Sequence, residues 1–285
     1  MNHIKTPLSA GLWFVGVPIG TARDITLRAL DVLASADVLV AEDTRSLRKL
    51  MDIHGVPLAG RRIEALHEHS KDAVVSRLVA RAHAGESVAY ASEAGMPLIA
   101  DPGFELARSA RAAGVPVTCA PGPSAVLTAL VVGGLPTDAF HFAGFLPATR
   151  SARKTALSAL AGVQATLVMY ESPKRVGAML GDAAEVLGPD RPATLCRELT
   201  KKFEETRHGT LRELAEQYES EKVKGEVVVL IGRGELMAVN EKDIELALRS
   251  ALGDMSVKDA AAFVAEAFDV PRRQVYQQAL SMSRD

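Results

Sequence analysis

The first 120 residues alternate between short apolar runs and amphipathic stretches. The apolar runs, each of a length suited to one buried strand, are residues 12–17, 38–41, 87–91 and 117–120. Between them, apolar residues recur every three or four positions, as at Leu27, Leu30 and Leu33, which predicts helices. Thr44 is predicted to cap a basic helix that continues through Leu50. The alternation indicates a mostly parallel α/β sheet with helical crossovers.

A second set of elements follows the Pro-Gly-Pro segment at residues 121–123. Its strand candidates are residues 140–143, 165–170, 193–197 and 227–231, with 206–209 expected in an antiparallel pair. Its helix candidates are residues 152–160, 176–187 and 211–219. We place a domain boundary at 121–124, where the chain is expected to leave one sheet for another. The predicted domains are residues 1–122 and 123–236.

Residues 237–285 form a third predicted domain, in which the strand signal is lost. Three short helices are predicted at 243–252, 257–268 and 272–282. The last two are joined through residues 269–271 at the spacing of a helix-turn-helix. The expected core of this module consists of Val257, Ala261, Val264, Val275 and Leu280.

Composition narrows the class of protein. Of the 285 residues, 48% are hydrophobic, which is normal for a globular protein and excludes intrinsic disorder. No apolar run reaches the ~18–20 residues of a membrane-spanning helix, and residues 1–10 lack the apolar core of a secretory signal. Cys119 and Cys196 lie far apart, so we expect a reduced, cytoplasmic protein. The net charge of −2 argues against a protein that coats nucleic acid through bulk positive charge.

Several motifs of common enzyme classes are missing from the sequence. It contains no Walker-type phosphate loop, no G-x-G-x-x-G fingerprint, no H-E-x-x-H and no G-x-S-x-G. His67, Glu68 and His69 resemble a metal site, but no third partner follows at helical spacing. We interpret that segment as a solvated loop and predict no metal.

Five loops rich in Gly, Pro or charged residues follow predicted strands of the first domain. They are residues 17–20, 42–45, 92–97, 101–103 and 121–125. In open α/β sheets, ligands bind beyond the carboxyl ends of the strands, so these loops are expected to line one cleft. Any α/β protein also needs turns, and from the residues alone the two explanations are about equally supported.

Basic residues gather in the loops of the second domain. The candidates for contacts with a phosphate-bearing substrate are Arg150, Arg153, Lys154, Lys174, Arg175 and Arg197. Their side chains can make charge-assisted hydrogen bonds to phosphate oxygens. The alternative is a solvated charged rim. Because three such loops are expected around one cleft, we favour a polyanionic substrate.

Read in order, the loop motifs resemble those of one family. They are P-I-G at 18–20 with residues 24–29, E-D-T-R at 42–45, residues 92–103, P-G-P-S-A at 121–125, residues 134–138, residues 144–147, Y-E-S-P-K-R at 170–175, residues 197–201 and K-G-E at 224–226. From residue 12 to residue 232, the chain resembles the tetrapyrrole methylase family of S-adenosylmethionine-dependent enzymes. Its E-D-T-R, Y-E-S-P-x-R and R-E-L-T-K motifs are similar to those of the branch that methylates the ribose 2′-hydroxyl of a cytidine in 16S rRNA.

The resemblance implies a two-domain tetrapyrrole-methylase-like α/β fold, with a mostly parallel sheet in the first domain, a mixed sheet in the second and a small C-terminal helical module. It also implies a homodimer and a cleft between the domains that binds S-adenosylmethionine. The implied cofactor contacts are Pro18, Ile19, Gly20, Gly95, Met96, Ile99, Asp101, Ser124, Ala125, Tyr170, Glu171, Leu199, Gly225 and Glu226. Thr21, Glu93 and Ala100 depart from the family's usual Asn, Asp and Ser.

In the implied reaction, the ribose 2′-hydroxyl has to lose its proton. A ribose hydroxyl is a poor nucleophile at neutral pH, so a base or a cation that stabilises the alkoxide is expected. Lys201, with Glu198 and Glu205 close in sequence to hold it, is the leading candidate, and Asp43 and Arg45 come second. A role in orienting the substrate is an equal alternative for each.

Two other functions remain open at this point. A C-methyltransferase acting on a precorrin-like tetrapyrrole would share the fold and the cofactor site, but the basic loops favour RNA. A non-catalytic nucleic-acid-binding protein would rely on the helix-turn-helix, but it would not need the Gly- and Pro-rich loops of a cofactor cleft. The C-terminal module itself is either an accessory that docks on rRNA or a packing element.

Overall fold

The computed structural model describes residues 3–66, 72–99, 103–221, 223–234, 241–268 and 270–282. The described residues form two compact units, of which the first ends at Arg233 and the second begins at Gly234. The strands, all in the first unit, are β1 (Gly11–Val15), β2 (Val38–Ala41), β3 (Ile63–Ala65), β4 (Ser87–Ala91), β5 (Val117–Ala120), β6 (Phe140–Phe145), β7 (Thr166–Glu171), β8 (Pro192–Arg197), β9 (Glu205–Thr210) and β10 (Val227–Ile231).

Helices separate most of these strands. The first unit contains α1 (Leu27–Ser35), α2 (Thr44–Ile53), α3 (Asp72–His83), α4 (Phe104–Ala112), α5 (Ala125–Val132), α6 (Arg150–Leu160), α7 (Val176–Leu187) and α8 (Leu211–Ser220), with a 3-10 turn at Ala22–Asp24. The second unit contains α9 (Glu241–Asp254), α10 (Val257–Ala267) and α11 (Arg272–Met282). The predicted elements are present, most of them with ends shifted by a few residues.

The first sheet has the strand order β3-β2-β4-β1-β5, and all of its pairings are parallel. Helices cover both faces: α1 and α2 contribute Leu33 and Met51 to one core, and α3 and α4 contribute Leu78 and Leu106 to the other. This confirms the predicted parallel sheet, and it brings the carboxyl ends of the five strands to one edge. Strand β3 was not predicted, because its three partly exposed residues form no apolar run.

The second sheet is mixed, as predicted, with the order β6-β7-β10-β8-β9. β6 and β7 are parallel, whereas β10 is antiparallel to both β7 and β8, and β9 is antiparallel to β8. Helices α6, α7 and α8 cover one face through residues such as Leu157, Leu180 and Leu214. The predicted antiparallel pair at 206–209 is therefore confirmed.

Helix α5 packs on the opposite face of the second sheet. Its Ala129 and Leu130 contribute to a core with Val168 and Leu230. Gly133, just after the helix, lies so close to this sheet that a Cβ atom there would come within 2.2 Å of Leu230 Cδ1. Helix α5 therefore belongs to the packing of the second sheet. The predicted boundary between residues 122 and 123 and the division into three domains stay predictions.

Helix α2 has a different cap from the predicted one. The carboxylate of Asp43, not the hydroxyl of Thr44, accepts from the backbone N–H groups of Arg45 at 2.7 Å and Ser46 at 3.2 Å. Thr44 is the first helical residue. A carboxylate at the N-cap also interacts favourably with the helix dipole, so Asp43 is the stronger cap.

The second unit has its own core. Ala261, Val264 and Val275 are buried there as predicted, together with Leu248 of α9. The prediction of Leu280 was wrong, because Ala279, one turn after Val275, occupies the buried face of α11. Asp269 of the predicted turn lies outside the described residues.

Candidate active site

One cavity of about 640 Å³ lies in the first unit, at the edge where the parallel strands end. Its volume is in the range of small-ligand sites. Of the residues implied as cofactor contacts, those in its lining are Pro18, Ile19, Gly20, Gly95, Met96, Ile99, Ser124, Ala125, Tyr170, Glu171, Gly225 and Glu226. Asp101 lies outside the described residues, as do Ala100 and the segment His67–His69. Leu199 is buried behind the lining, with its carbonyl oxygen next to Gly20.

The loops of the first sheet are held together by backbone contacts. Val17 and Gly95 exchange two hydrogen bonds, of 2.9 and 3.1 Å, which join the loop after β1 to the loop after β4. Gly95 has a φ of +72°, a conformation that suits glycine. Gly16 lies against Gly122, where a Cβ atom would come within 2.6 Å of the Gly122 nitrogen. Small residues at these positions therefore allow three loops to converge on one cavity.

The N-terminus of α5 opens into the same cavity. Ser124 is its N-cap, and its hydroxyl accepts from Leu127 N over a long distance of 3.5 Å. Ser124 and Ala125 both line the cavity. The unpaired N–H groups of a first helical turn and the positive end of the helix dipole favour a bound anionic group.

The register of the second sheet places four strand ends at the opposite side of this cavity. Val227, at the start of β10, pairs with Glu171 at the end of β7 and with Arg197 at the end of β8. Phe145, at the end of β6, pairs with Tyr170. Tyr170 packs edge-on against Phe145, and burial raises its pKa, with the negative charge of Glu226 acting in the same direction. Chain-distant residues meet here because antiparallel partners bring the end of one strand beside the start of the next.

Lys201 reaches the cavity between two carboxylates. Its Nζ donates to Glu198 Oε1 and to Glu226 Oε2, each at 3.0 Å. Burial by itself would lower the pKa of Lys201, but the two hydrogen bonds and charges outweigh it, so the pKa is raised above its ordinary value. Lys201 is therefore a cation at neutral pH. The expected contact with Glu198 is present, whereas Glu205 pairs with Arg197 and Arg207 instead.

Glu198 organises the loop that carries Lys201. Its carboxylate also accepts from Glu226 N at 3.0 Å, and its backbone N–H donates to Glu226 O at 2.9 Å. Burial acts to raise the pKa of Glu198, but these bonds and Lys201 hold it below the usual value. Gly225, with a φ of +89°, leaves the room for this carboxylate. Glu198 and Thr200 themselves have φ angles of +51° and +63°, a strained conformation of the kind found at functional sites.

The loop after β1 touches the Lys201 loop directly. Thr21 N donates to Thr200 Oγ1 at 3.1 Å, and the Thr21 hydroxyl donates to the Thr200 carbonyl oxygen. A Cβ atom on Gly20 would lie 2.5 Å from Lys201 Cγ. Thr21, one of the departures from the family pattern, thus joins the first-sheet loops to the second sheet.

The second-ranked catalytic candidates lie beside the cavity lining. Asp43 is engaged in capping α2, and the N–H groups of Arg45 and Ser46 lower its pKa. Arg45 is exposed and 3.6 Å from Asp43. Their neighbours Glu42 and Ser46 line the cavity instead. A catalytic role for Asp43 and Arg45 stays a prediction, and their placement counts against it.

Most of the basic candidates are engaged in ion pairs. Arg153 is buried, and its Nη2 lies 2.6 Å from Asp182 Oδ2. Arg150 pairs with Asp182 and Glu185, and Lys154 also pairs with Glu185. Burial therefore counts against a direct substrate contact for Arg153.

The other basic candidates differ in exposure. Arg175 donates to Glu171 Oε1 at 2.8 Å, and Arg197 lies 3.0 Å from Glu205. Lys174 is exposed at the turn after β7. The substrate contacts of all these residues stay predictions.

The cavity also contains residues that the sequence did not single out as contacts. Phe145, Ser172 and Pro173 line it, as do Glu42 and Glu93. Phe145 is the last residue of β6 and the others follow the carboxyl end of a strand, and this position is the signal that identifies them. With Glu171 and Glu226, the described lining holds four glutamates and one lysine, which favours a ligand with positive charge.

The part of the chain that the structure describes was searched for metal-binding groups and for membrane-spanning helices. Within it, no three His, Cys, Asp or Glu side chains group together in a way that would hold a metal ion. None of the described helices has the length and apolar character to cross a membrane.

Known proteins share this fold and much of this sequence. The profile of the family Tetrapyrrole (Corrin/Porphyrin) Methylases matches residues 11–215, and that of the RsmI C-terminal HTH domain matches residues 238–283. The chain is 45% identical over 277 residues to a Ribosomal RNA small subunit methyltransferase I from Mesorhizobium japonicum, covering 97% of this chain and 93% of that protein.

Two solved structures are also similar. Uroporphyrin-III-C-methyltransferase from Thermus thermophilus has a TM-score of 0.55 and 25% identity, over 78% of this chain and 94% of that one. Another structure described as uroporphyrin-III C-methyl transferase from Thermus thermophilus, complexed with S-adenyl homocysteine, has a TM-score of 0.53 and 23% identity, over 78% and 97% of the two chains. At 23% identity, the likeness to the structure with S-adenyl homocysteine is evidence for the fold alone.

Proposed function

Since the chain belongs to the tetrapyrrole methylase family, as its motifs predicted, we propose that it methylates the ribose 2′-hydroxyl of a cytidine in 16S rRNA of the small ribosomal subunit, with S-adenosylmethionine as the donor. The observation that carries the proposal is the cavity, which brings the glycine loops of the first sheet to the paired cation of Lys201. The name and the near-complete coverage of the Mesorhizobium japonicum relative support the choice of rRNA.

The lining fits S-adenosylmethionine. When bound, this donor supplies a methyl group on a positively charged sulfur atom. Ser124 and the first N–H groups of α5 would hold its carboxylate, and the glutamates suit its positive charges. Gly20 and Gly95 let the backbone approach it closely. The fold that the chain shares with a protein complexed with S-adenyl homocysteine supports this assignment.

Lys201 acts on the substrate oxygen in this proposal. The 2′-hydroxyl loses its proton to solvent water as its oxygen bonds to the methyl carbon and the methyl–sulfur bond breaks. A fixed ammonium group beside the oxygen stabilises the alkoxide character that loss of the proton creates. Because the pKa of Lys201 is raised, the residue enters the reaction as a cation and not as a base. Glu198 and Glu226 hold Nζ in place, so little reorganisation is needed.

The remaining predictions concern the RNA contacts of the basic residues, the location of the enzyme and its oligomeric state. The exposed Lys174 and the rim residues Arg150 and Lys154 contact RNA phosphates in this proposal, and half-buried Arg175 and Arg197 shape the loops around the cavity. A ribosomal substrate places the enzyme in the cytoplasm. The family resemblance also implies a homodimer.

Methyl transfer onto three acceptors tests the proposed function. The purified chain is incubated with radiolabelled S-adenosylmethionine and isolated small ribosomal subunits, naked 16S rRNA or uroporphyrinogen III, and the labelled product is mapped. We expect one 2′-O-methylcytidine in the rRNA. Label on a carbon atom of the tetrapyrrole would instead support a C-methyltransferase, a function favoured by the likeness to uroporphyrin-III-C-methyltransferase.

Calorimetry with S-adenosylmethionine separates both enzymes from a non-catalytic RNA-binding protein. Binding with one site per chain is the expected result. If the chain bound rRNA but no S-adenosylmethionine, the proposed activity would be wrong.

A further inference from the structure

We propose that Lys202 and Phe203 form a platform beside the cavity that binds the nucleotide next to the methylated one. Phe203 stacks on the base of that nucleotide, and Lys202 contacts its phosphate. This inference rests on the proposed function, because it takes the substrate to be RNA. It adds to that function a binding site for an unpaired neighbouring nucleotide, formed by two residues outside the cavity lining.

Lys202 and Phe203 occupy the tip of a β-turn that directly follows Lys201. The N–H group of Glu204 donates to the Lys201 carbonyl oxygen at 3.2 Å, which closes the turn with these two residues at its central positions. Both are exposed, Phe203 to 62%. Gly, Pro, Asn, Asp and Ser are the usual residues of turns, for reasons of backbone conformation. The turn by itself therefore does not account for a lysine and a phenylalanine at its tip.

The backbone on both sides of the tip is held in place. Before it, Thr200 N donates to Glu204 Oε2 at 2.7 Å, and Thr200 Oγ1 accepts from Thr21 N at 3.1 Å. After it, β9 begins at Glu205 and pairs with β8. The two side chains at the tip thus project from a fixed backbone, which lowers the entropy cost of binding a ligand.

Lys202 is a basic residue without an acidic partner. Among the residues that the structure describes, no carboxylate forms an ion pair with it, and the nearby Glu204 carboxylate accepts from Thr200 instead. Most of the basic candidates around the cavity are paired, as Arg175 is with Glu171. An unpaired ammonium group binds a phosphate without breaking an existing ion pair, so Lys202 is well suited to this contact.

The two side chains lie close together. The Lys202 ammonium group is 5.6 Å from the centre of the Phe203 ring. Proteins bind single-stranded nucleic acids with this combination, in which an aromatic ring stacks on a base and a cation contacts the backbone. Because more than half of Phe203 is exposed, ring surface remains for a base.

The charges of the cavity favour a phosphate outside it. Its described lining holds four glutamates and one lysine, so the 2′-hydroxyl reaches Lys201 while the phosphates stay at the rim. Lys202 and Phe203 follow Lys201 by one and two residues, about 4 and 8 Å of chain, which is close enough for the adjacent nucleotide. A target nucleotide that enters the cavity separates from its neighbour, whose base is then free to stack on an aromatic side chain.

Substitutions of Phe203 test the stacking contact. Small ribosomal subunits are methylated at saturating S-adenosylmethionine, and kcat and KM for the subunit are measured separately. Phe203→Ala and Phe203→Leu should raise KM by roughly tenfold or more and leave kcat nearly unchanged, because they remove binding that does not depend on the transition state. Phe203→Tyr, which retains an aromatic ring, should keep the wild-type KM. Phe140→Ala serves as a control, since this exposed ring lies at the start of β6.

Lys202→Gln tests the phosphate contact through its dependence on salt. Loss of one contact to a single-stranded phosphate should reduce the slope of log kcat/KM against log salt by about 0.7, and Lys202→Arg should restore the slope. Arg212→Gln, at an exposed ion pair of α8, should keep the wild-type slope. An unchanged slope in Lys202→Gln would rule out the phosphate contact.

Other outcomes separate the platform from alternative roles of the turn. An unchanged KM in Phe203→Ala would overturn the stacking contact. A lower kcat at unchanged KM, or a weaker S-adenosylmethionine affinity by calorimetry, would mean that the turn only positions Lys201. A changed oligomeric state of Phe203→Ala in analytical ultracentrifugation would make the ring a contact between copies of the chain. None of these results affects the proposed function, which fails only if the wild-type chain does not methylate the rRNA.

Discussion

At the scale of single residues, the environment of Lys201 decides which of its possible roles is chemically consistent. A lysine acts as a general base only if burial or neighbouring cations lower its pKa. Here two carboxylates at 3.0 Å have the opposite effect. The sequence identified the residue, but not the sign of its pKa shift, because Glu226, just before β10, lies 25 positions away.

We expect Lys201→Ala to lower kcat by roughly 10²- to 10³-fold, the usual effect of removing a donor that stabilises a developing oxyanion. S-adenosylmethionine affinity, measured by calorimetry, should be retained. Arg212→Ala, which removes an exposed ion pair with Asp190, serves as the control and should keep full turnover. Unchanged turnover in Lys201→Ala would rule this residue out.

The raised pKa of Lys201 also predicts how activity depends on pH. A group whose pKa is raised in the folded state retains its charge below the ordinary value of 10.5 and loses it as the pH rises through the folded-state pKa. The ratio of wild-type to Lys201→Ala turnover should therefore be constant from about pH 7 to 10. A ratio that increases across this range would indicate a lysine that acts as a base.

At the scale of elements, the contact between the Lys201 loop and the start of β10 depends on the absence of a side chain at Gly225. A Cβ atom there would lie 2.3 Å from Glu198 Cδ. The strained φ angles of Glu198 and Thr200 are maintained by the bonds to Glu226 and Thr21. Loop and strand therefore support each other, and a change in one should displace Lys201.

Gly225→Ala tests this dependence against a matched control. Gly85 also has a positive φ, of +106°, but a Cβ atom there meets nothing within 4 Å. Both substitutions should destabilise the fold by about 1–2 kcal/mol through backbone strain. Only Gly225→Ala should also lose turnover, because it displaces Glu198. Thermal unfolding and methyl transfer measure the two effects, and equal turnover in both variants would contradict the role given to this contact.

Helices α6 and α7 are joined by the ion pair of Arg153 and Asp182, whose side chains are 6% and 5% exposed. Removing Arg153 takes the buried partner from the Asp182 carboxylate, which then keeps only the exposed Arg150 among the described residues. Arg153→Ala should therefore lower the free energy of unfolding by up to about 3–5 kcal/mol, the usual effect of breaking a buried pair. Lys174→Ala, at an exposed position, should leave stability unchanged and raise the KM for the ribosomal subunit. Denaturant unfolding and RNA binding distinguish a structural role of Arg153 from a role in contacting RNA. A stable Arg153→Ala variant with weaker RNA binding would support the predicted substrate contact.

At the scale of the whole molecule, the near-neutral charge is compatible with an RNA substrate. Many basic side chains in the second-sheet loops are neutralised by carboxylates, so non-specific affinity for RNA should be weak. The second unit adds no net positive charge: residues 240–285 contain six Lys and Arg against eight Asp and Glu. Recognition of the RNA substrate therefore has to depend on the shape of the RNA and on a few basic side chains at defined positions.

Deletion of residues 240–285 tests whether the second unit docks on the ribosome. Because each unit has its own core, the remaining chain should fold and bind S-adenosylmethionine with unchanged affinity. Methylation of small subunits should fall by at least tenfold, mainly through KM. Full activity of the truncated chain would instead assign the unit a packing role.

The sequence by itself determined the order and type of the elements except β3, the family, and most of the loops that form the cavity. Periodicity and strand-end loops are local properties, and the carboxyl ends of parallel strands necessarily share an edge. The family resemblance implied most of the lining, from Pro18 to Glu226. The elements and strand-end loops follow from the chain's own order and do not require knowledge of long-range contacts.

Only the tertiary structure decided which side chains pair with each other in hydrogen bonds and ion pairs. Glu226 rather than Glu205 holds Lys201, Asp43 caps α2, and Arg153 is buried with Asp182. Within the described ranges, Glu171 keeps one oxygen without a donor. Each depends on which strand pairs with which, and on the register of that pairing. A side chain's charge, exposure and hydrogen bonds are set by neighbours distant in sequence, so no local pattern encodes them.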